Sequence, residues 1–243
     1  RARTHPSPAL GPAGEGVADA DRDAILKLLR DRATRLDDEI VPRVKAAMRS
    51  TADMPAHEVA FVRKMGGAYA GMRSRAIGKV SDSAPRLGLS DAEITARYAY
   101  TTSDSTWGYR PINRALRSED GTKKADFADY RDTLNAALAK LPDHVGTVKR
   151  RTRLTAEELA RYRNSKGEVI VEQAFTSTSH GGRAAFSGPH EFVIESAHGK
   201  LVQPWSAYPG EREVLFAAGS RFKVLEVESL GGGRYKIRLR EVE

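Results

Sequence analysis

Several features that often reveal a protein's class are missing from this 243-residue chain. It contains no cysteine, which excludes disulfide bonds, cysteine zinc ligands and a cysteine nucleophile. It has no run of about 18 or more apolar residues, so the sequence predicts no transmembrane helix. Residues 1–6 lack the apolar segment that signal peptides carry. Because the sequence does not begin with Met, we expect it to be part of a longer protein.

The chain is basic, with 40 Lys and Arg residues against 32 Asp and Glu residues and a formal net charge of +8. Such a chain can bind a nucleic acid or an anionic membrane. It can also carry a basic solvated surface together with a few phosphate-binding arginines. We favour the second interpretation because the charges are spread along the chain and no RNA-recognition, zinc-finger or helix-turn-helix signature is present.

The first half of the chain is predicted to be mostly helical. Residues 1–20 form a flexible lead-in that starts with a stretch rich in Pro, Gly and Ala. Residues 21–97 form a helical region, an adaptor or a lid, in which apolar residues recur at helical spacing and Pro42 interrupts the first helix. The later predicted helices are 56–77, weakened by Gly66 and Gly67, one opened by Ser90 and Glu93, one within 106–117 starting near Pro111, and 125–140.

After Pro142 the pattern changes to short strands. One helix, 155–162, is predicted among them from Thr155 and Glu158, which form a capping-box pattern. The predicted strands are 145–148, 169–179, 191–196, 213–217, 221–228 and 234–242, with a glycine hairpin turn at 231–233. Helices followed by runs of strands favour an α+β fold.

Three motifs in the second half carry groups suited to a dinucleotide and to a cationic sugar. Arg150 and Arg151 end a strand, where two guanidiniums suit a pyrophosphate by charge and geometry. The hydroxyls of Ser177-Thr178-Ser179 can orient a carboxylate and a sugar. Of Glu211 and Glu213, one carboxylate can stabilise an oxocarbenium-like sugar while the other deprotonates a nucleophile. Each motif alone is more often an ordinary strand edge or a solvated charge cluster.

In this order, the motifs resemble the bacterial ADP-ribosyltransferase exotoxins. The branch is the one marked by Arg, Ser-Thr-Ser and Glu-x-Glu, which includes the clostridial actin-modifying toxins. The resemblance covers residues 98–243 and implies a catalytic domain there. It implies a split β-sandwich, two packed and mainly antiparallel sheets around an NAD cleft, preceded by the helical region. It also implies a mono-ADP-ribosyltransferase that moves ADP-ribose from NAD, its substrate, to an arginine of a target protein without a metal.

The resemblance assigns roles around NAD. Arg150 matches the strand-end arginine that grips NAD, with Arg151 as a second arginine found in part of the family. Tyr109 and Asn113 match a Tyr-x-x-Ile-Asn helix whose Tyr and Asn contact NAD. Ser177 matches the serine that steadies the catalytic glutamate and the nicotinamide ribose.

The resemblance also assigns roles on the acceptor side. Glu213 matches the catalytic glutamate that contacts the ribose 2′-hydroxyl, and Glu211 matches the residue that orients or deprotonates the acceptor. Glutamate at the latter position is typical of arginine-modifying members. Tyr208 and Trp205 fall in the loop expected to recognise the acceptor, and Phe186 is either a stacking partner of the nicotinamide or a core aromatic.

Other functions stay open at this stage. The same fold can modify a nucleic acid or act mainly as an NAD glycohydrolase, and a non-enzymatic basic binding module is the third reading. The expected partners are a target protein with a reactive arginine and a cognate immunity protein, with no membrane and no nucleic acid. The expected location is outside the producing cell or inside a target cell, reached as part of a longer protein.

Overall fold

The computed structural model describes residues 54–79, 87–181, 187–202 and 212–243. Residues 55–243 form one compact unit. The predicted lead-in and the apolar stripe interrupted by Pro42 lie outside the described residues. Within the described ranges, no helix combines the length and the apolar character needed to cross a membrane.

In the described part of the chain, helices precede the strands, as the sequence predicts. These helices are α1 (Ala56–Met65), α2 (Gly67–Lys79), α3 (Asp91–Tyr100), α4 (Tyr109–Arg117), α5 (Gly121–Asp126) and α6 (Ala128–Ala139). The single helix predicted for 56–77 is two helices. Gly66 separates them because it adopts a φ of +53°, which glycine reaches without steric cost.

Local capping signals place two helix starts. Ser90 and Glu93 form the predicted capping box at α3, with the Glu93 amide donating to Ser90 Oγ at 3.1 Å and the Ser90 amide donating to Glu93 Oε2 at 2.7 Å. Helix α4 starts at Tyr109 behind an extended Gly108, two residues before the predicted start at Pro111. The remaining helix, α7 (Ala156–Asn164), carries the predicted capping box of Thr155 and Glu158.

The strands follow the predicted order, and all but the last differ from their predicted bounds. They are β1 (Asp143–Thr152), β2 (Val169–Val171), β3 (Thr176–Ser179), β4 (His190–Leu201), β5 (Glu213–Phe216), β6 (Arg221–Gly231) and β7 (Arg234–Val242). The strand predicted for 169–179 is two strands, β2 and β3. Between them, the Glu172 amide donates to the Ser220 carbonyl and the Glu172 carbonyl accepts from the Gly219 amide, so Glu172 stays bound to the turn before β6. Beyond it, β3 pairs with β1 and β5 instead of β6.

All seven strands belong to one hydrogen-bonded sheet in the order β1-β3-β5-β4-β7-β6-β2, and β1 also pairs with β4. Strands β1, β3, β5 and β4 therefore close into a ring, from which β7, β6 and β2 extend. Pairing is antiparallel except between β4 and β7. The two separate sheets that we expected are joined because β4, twelve residues long, pairs first with β1 and β7 and then reaches β5 through Lys200 and Leu201.

Contacts of Asn135 and Tyr100 connect the helices that precede β1 to the strand region. The Asn135 side chain of α6 donates to the Ala218 carbonyl and accepts from the Ala218 amide, both at 3.1 Å, at the turn between β5 and β6. The ring of Tyr100, the last residue of α3, packs edge-on against Phe175 with centroids 5.2 Å apart. Phe175 immediately precedes β3, so this contact holds α3 close to the strand that carries Ser177.

Candidate active site

A cleft of about 1060 Å³ lies between α4 and the strands β1, β3 and β5. Every predicted site residue within the described ranges lines this cleft. They are Tyr109, Asn113, Arg150, Arg151, Ser177 and Glu213. The other predicted site residues, Glu211, Phe186, Tyr208 and Trp205, lie outside the described residues. The structure thus brings together residues from four elements that are separated by up to about one hundred positions in the sequence.

Strand register brings Ser177 and Glu213 together. Strands β3 and β5 are antiparallel, with Ser179 opposite Glu213 and Ser177 opposite Leu215. Because side chains alternate along a strand, Ser177 and Glu213 share one face of this pair. Ser177 Oγ donates a hydrogen bond to Glu213 Oε1 at 2.6 Å, and the glutamate is only 5% exposed. A buried hydroxyl–carboxylate bond of this length is charge-assisted and fixes the carboxylate.

The middle residue of the motif points the other way. Thr178 is fully buried, and its Oγ1 donates to the Val214 carbonyl at 2.7 Å. This bond ties β3 to β5 without entering the cleft. Because side chains alternate along a strand, the Ser177 hydroxyl orients the Glu213 carboxylate, whereas the Thr178 hydroxyl supports the pairing of β3 with β5.

Arg150 reaches the same strand from β1. Its Nη1 donates to the Ser177 carbonyl at 3.3 Å. Burial holds the pKa of Arg150 below its ordinary value, and the charge of the nearby Arg117 lowers that pKa further. Arg151, the next residue on β1, is exposed and also lines the cleft.

Helix α4 supplies the opposite wall. The Asn113 amide nitrogen donates to the Tyr100 hydroxyl at 2.9 Å, while Asn113 Oδ1 is buried and has no hydrogen-bond partner among the described residues. Tyr109 packs against the Tyr100 ring at 6.5 Å and lies under the Arg110 guanidinium. Asn113 therefore presents a fixed, unused acceptor at the cleft.

Sequence reasoning missed Tyr100. Burial, and then the charge of Glu213, raise the pKa of the Tyr100 phenol well above its ordinary value, so the phenol stays neutral and can both donate and accept. The only sequence signal for this residue is its place at the end of a capped helix. That signal does not reveal a contact with α4.

The cleft is strongly cationic. Six arginines line it, namely Arg110, Arg114, Arg117, Arg150, Arg151 and Arg153, against the carboxylates of Glu158 and Glu213. None of the six forms a salt bridge with a carboxylate of residues 54–79, 87–181, 187–202 or 212–243. Unpaired guanidiniums converging on one concave surface attract anions and suit phosphate groups.

A smaller cavity of about 390 Å³ adjoins the cleft and shares Arg117 and Arg150 with it. Glu172 lies in this cavity and accepts hydrogen bonds from the Tyr162 hydroxyl at 2.7 Å and from Arg161 at 3.3 Å. Across the part of the chain that the structure describes, no three His, Cys, Asp or Glu side chains are grouped as metal ligands would be.

Two of the proteins that are similar to this chain in sequence are Mav and Vis. Mav of Mycobacterium avium (strain 104), named provisionally as an NAD(+)–arginine ADP-ribosyltransferase, is 42% identical over 139 residues, which cover 56% of this chain and 16% of Mav. Vis of Vibrio splendidus (strain 12B01), named in the same provisional way, is 33% identical over 160 residues, which cover 58% of this chain and 64% of Vis. The chain thus spans less than two thirds of either relative.

Solved structures share the fold. The type III effector XopAI from Xanthomonas axonopodis pv. citri superposes with a TM-score of 0.66 and 21% identity, covering 85% of this chain and 99% of a truncated XopAI. The structure of Vis in complex with agmatine superposes with a TM-score of 0.52 and 25% identity, covering 72% of this chain and 86% of that one.

The match to a whole family covers more of the chain than the sequence similarity to Mav or to Vis does. Residues 38–243 match the family described as ART, NAD:arginine ADP-ribosyltransferase, and this range holds every residue that lines the cleft. The chain belongs to the NAD:arginine ADP-ribosyltransferase family.

Proposed function

We propose that this protein is a toxin- or effector-type mono-ADP-ribosyltransferase that transfers ADP-ribose from NAD to an arginine side chain of a target protein. One observation carries the proposal. The buried carboxylate of Glu213 is held by Ser177 Oγ at 2.6 Å inside an arginine-lined cleft. The membership of the chain in the NAD:arginine ADP-ribosyltransferase family supports the same reading.

The residues of the cleft fit NAD. Arg150 and Arg151 supply two adjacent guanidiniums that can bind the negative charges of the diphosphate. The unused Oδ1 of Asn113 can accept a hydrogen bond from an amide or a hydroxyl group of the nicotinamide riboside half. Tyr109 offers an aromatic wall beside Asn113.

Glu213 is proposed to act on the sugar. When the bond between the ribose C1′ and the nicotinamide nitrogen breaks, its electron pair leaves with nicotinamide and positive charge develops on the ribose. A fixed carboxylate near that ribose stabilises the charge and can accept a hydrogen bond from the 2′-hydroxyl. Ser177 and Arg150 serve this step indirectly, because Ser177 binds Glu213 and Arg150 binds the Ser177 carbonyl.

The acceptor is proposed to be an arginine guanidinium. A guanidinium nitrogen would bond to C1′ and give up a proton to Glu211, two residues before Glu213 in the sequence. The complex of Vis with agmatine, a small molecule that ends in a guanidinium, supports this choice. Tyr208 and Trp205 are proposed to contact the acceptor, and Phe186 to stack near the nicotinamide.

The wider biology stays a proposal that rests on the resemblance to exotoxins. We propose that 98–243 is the catalytic domain, that 21–97 is an adaptor or lid, and that 1–20 is a flexible lead-in. We also propose that NAD binds in the cleft lined by α4, β1, β3 and β5, at the closed ring of the single sheet. Secretion or delivery into a target cell, a target protein with a reactive arginine and an immunity protein complete the proposal.

Labelled NAD tests this function. The wild-type protein, Glu213→Gln, Glu211→Gln and the control Glu228→Gln, an exposed glutamate on β6, are incubated with target-cell lysate and NAD. We expect Glu213→Gln to lose about a hundredfold or more of both nicotinamide release and protein labelling. We expect Glu211→Gln to keep nicotinamide release and to lose labelling, and Glu228→Gln to match the wild type.

The same experiment identifies the acceptor. Mass spectrometry of the labelled proteins should place ADP-ribose on arginine. Label that survives protease and disappears with nuclease would show a nucleic-acid acceptor instead, and nicotinamide release with no labelled macromolecule would show an NAD glycohydrolase. Unchanged labelling by Glu213→Gln would contradict the proposed chemistry itself.

A further inference from the structure

Arg212 stands between Glu211 and Glu213 in the sequence, and its backbone is left-handed, with a φ of +49°. This conformation costs a residue with a side chain some free energy, because its Cβ comes close to the following carbonyl oxygen. In the part of the chain that the structure describes, Leu87 is the one other residue that is not a glycine and has a positive φ. Arginine is therefore an unusual residue at this position.

Hydrogen bonds on both sides of the chain hold Arg212 in this conformation. The Arg212 carbonyl accepts from the His180 amide at 3.1 Å, one position beyond the end of β3. The Glu213 carbonyl accepts from the Val202 amide at 3.1 Å, one position beyond the end of β4. The chain is thus bound to both neighbours of β5 at the point where that strand begins, and these bonds offset the cost of the left-handed backbone.

The side chain of Arg212 lies along the backbone of Gly181. A Cβ built on Gly181 would lie 2.6 Å from Arg212 Nη1 and 3.5 Å from Arg212 Cδ. Gly181 also has a φ of +82°, which glycine adopts without steric cost. This contact is a structural reason for a long side chain at Arg212, so an experiment has to separate the side chain from the backbone conformation.

A left-handed residue changes the direction of an extended chain. In a continuous strand, side chains two positions apart lie on the same face, as those of Glu213 and Leu215 do on β5. The φ of +49° at Arg212 interrupts this alternation directly before Glu213. The rotation at Arg212 therefore decides the direction in which the chain leaves Glu213 towards Glu211.

We propose that Arg212 is a positioning residue, whose left-handed backbone sets the direction of Glu211 relative to Glu213 so that ADP-ribose passes to an arginine acceptor rather than to water. This inference rests on the proposed function and adds to it one residue that governs the acceptor step. Glu213 acts while the bond to nicotinamide breaks, whereas Glu211 acts when the guanidinium bonds to C1′ and gives up its proton. A change at Arg212 should therefore alter the fate of ADP-ribose more than the release of nicotinamide.

The partition of ADP-ribose between guanidinium acceptors and water measures this role. Nicotinamide release from NAD and labelling of two acceptors, agmatine and the proteins of target-cell lysate, are measured for the wild type, Arg212→Val, Arg212→Ala and Arg212→Gly. The left-handed conformation is least accessible to β-branched valine, more accessible to alanine and freely accessible to glycine.

We expect the ratio of labelling to nicotinamide release to follow the order of backbone freedom. It should fall by about tenfold or more in Arg212→Val, by about threefold or more in Arg212→Ala and by less than about twofold in Arg212→Gly. Nicotinamide release itself should stay within about threefold of the wild type in all three variants, because Glu213 and Ser177 are unchanged.

Leu87 provides the matched control for strain alone. It has a φ of +50°, precedes α3 and does not line the cleft. Leu87→Val should lower the Tm, as Arg212→Val does, because a β-branched residue is forced into the left-handed region at both positions. It should leave the ratio of labelling to nicotinamide release unchanged, and a fall in that ratio would show that general destabilisation is enough to cause the effect, which overturns the inference.

Failure of the inference can be told apart from failure of the proposed function. An equal fall in the ratio for Arg212→Gly and Arg212→Val would show that the guanidinium matters instead of the backbone, and a wild-type ratio in Arg212→Val would show no role. Either result overturns the inference and leaves the proposed function untouched. If Arg212→Val does not fold, equal ratios for Arg212→Ala and Arg212→Gly overturn it. If the wild type releases no nicotinamide, or labels neither acceptor, the proposed function fails and the inference fails with it.

Discussion

Ser177 Oγ and Glu213 Oε1 lie 2.6 Å apart, although 36 positions separate the two residues in the sequence. The distance depends on the pairing of two four-residue strands, β3 and β5. A register slip of one residue would turn Ser177 to the other face and break the contact. The buried bond from Thr178 to the Val214 carbonyl secures that register. The orientation of the carboxylate is therefore a property of the strand pair.

Removal of the Ser177 hydroxyl should impair catalysis more than stability. Ser177→Ala removes one donor that orients Glu213, and hydrogen bonds to charged groups contribute about 1.5–3 kcal/mol. We expect kcat for nicotinamide release to fall by about 10- to 100-fold. Thr178→Val is the comparison variant. It should lower the free energy of unfolding by about 1 kcal/mol and keep kcat within about threefold. A normal kcat for Ser177→Ala would contradict the role given to the bond.

Gly108, the residue before α4, should not tolerate the methyl side chain of alanine. A Cβ on Gly108 would lie 2.5 Å from the Thr102 carbonyl oxygen and 2.6 Å from that of Asp104, both backbone atoms that cannot move aside. Gly108→Ala should cost about 1–3 kcal/mol of unfolding free energy and raise the KM for NAD, because α4 carries Tyr109 and Asn113. Urea unfolding and steady-state kinetics measure the two effects.

A second glycine provides the matched control. Gly121 begins α5, and a Cβ there meets no atom within 4 Å. Gly121→Ala should therefore leave stability unchanged or raise it by about 0.5–1 kcal/mol, with no change in KM. Equal losses from the two substitutions would show that the crowding at Gly108 does not matter.

Local signals in the sequence were enough for much of this fold. Ser90 with Glu93 and Thr155 with Glu158 marked helix starts correctly, because a capping box is formed by residues three positions apart. The alternation of side chains located β7 correctly as 234–242. The sheet order and the closed ring could not be predicted, since they depend on which distant strands pair.

In the cleft, too, some features could be predicted from the sequence and others depend on contacts between distant segments. The resemblance predicted that Arg150, Ser177 and Glu213 belong to one site, because it depends only on the order of the motifs along the chain. All three residues line the cleft. The bond from Asn113 to Tyr100 and the approach of Arg117 to Arg150 join different elements, so no spacing rule reveals them. Such contacts follow from the packing of α3 and α4 against the strands.

Adjacent arginines on β1 should differ in their tolerance of lysine. Arg150 is held by the Ser177 carbonyl, and a lysine lacks the planar fork that can bind that carbonyl and a phosphate together. Arg150→Lys should raise the KM for NAD by about 10- to 100-fold. Arg151→Lys keeps the charge at an exposed position and should raise KM by about threefold or less. Similar effects of the two substitutions would mean that only charge matters on this strand.

Buried phenols should make the protein sensitive to alkaline pH. Tyr130 is 2% exposed, and its hydroxyl donates to the Trp107 carbonyl at 2.7 Å and the Ala96 carbonyl at 3.1 Å. Burial raises the pKa of Tyr130 well above its ordinary value of 10.0, and the pKa of Tyr100 is raised in the same direction. Above pH 10 the unfolded chain releases phenolic protons that the folded chain keeps, so stability is full below that pH and falls as pH rises.

Tyr130→Phe tests this dependence at a site outside the cleft. At pH 7 the variant should lose about 1–3 kcal/mol of unfolding free energy, because the Trp107 and Ala96 carbonyls lose the one phenol proton that they share. Above pH 10 the stability of the variant should fall less steeply than that of the wild type, because unfolding of the variant releases one proton fewer. The two slopes should differ by up to about 1.4 kcal/mol per pH unit. Urea unfolding from pH 7 to pH 11 measures both. Parallel curves for the two proteins would show that Tyr130 ionises in the folded protein at the same pH as in the unfolded chain, and would contradict the effect of burial on its pKa.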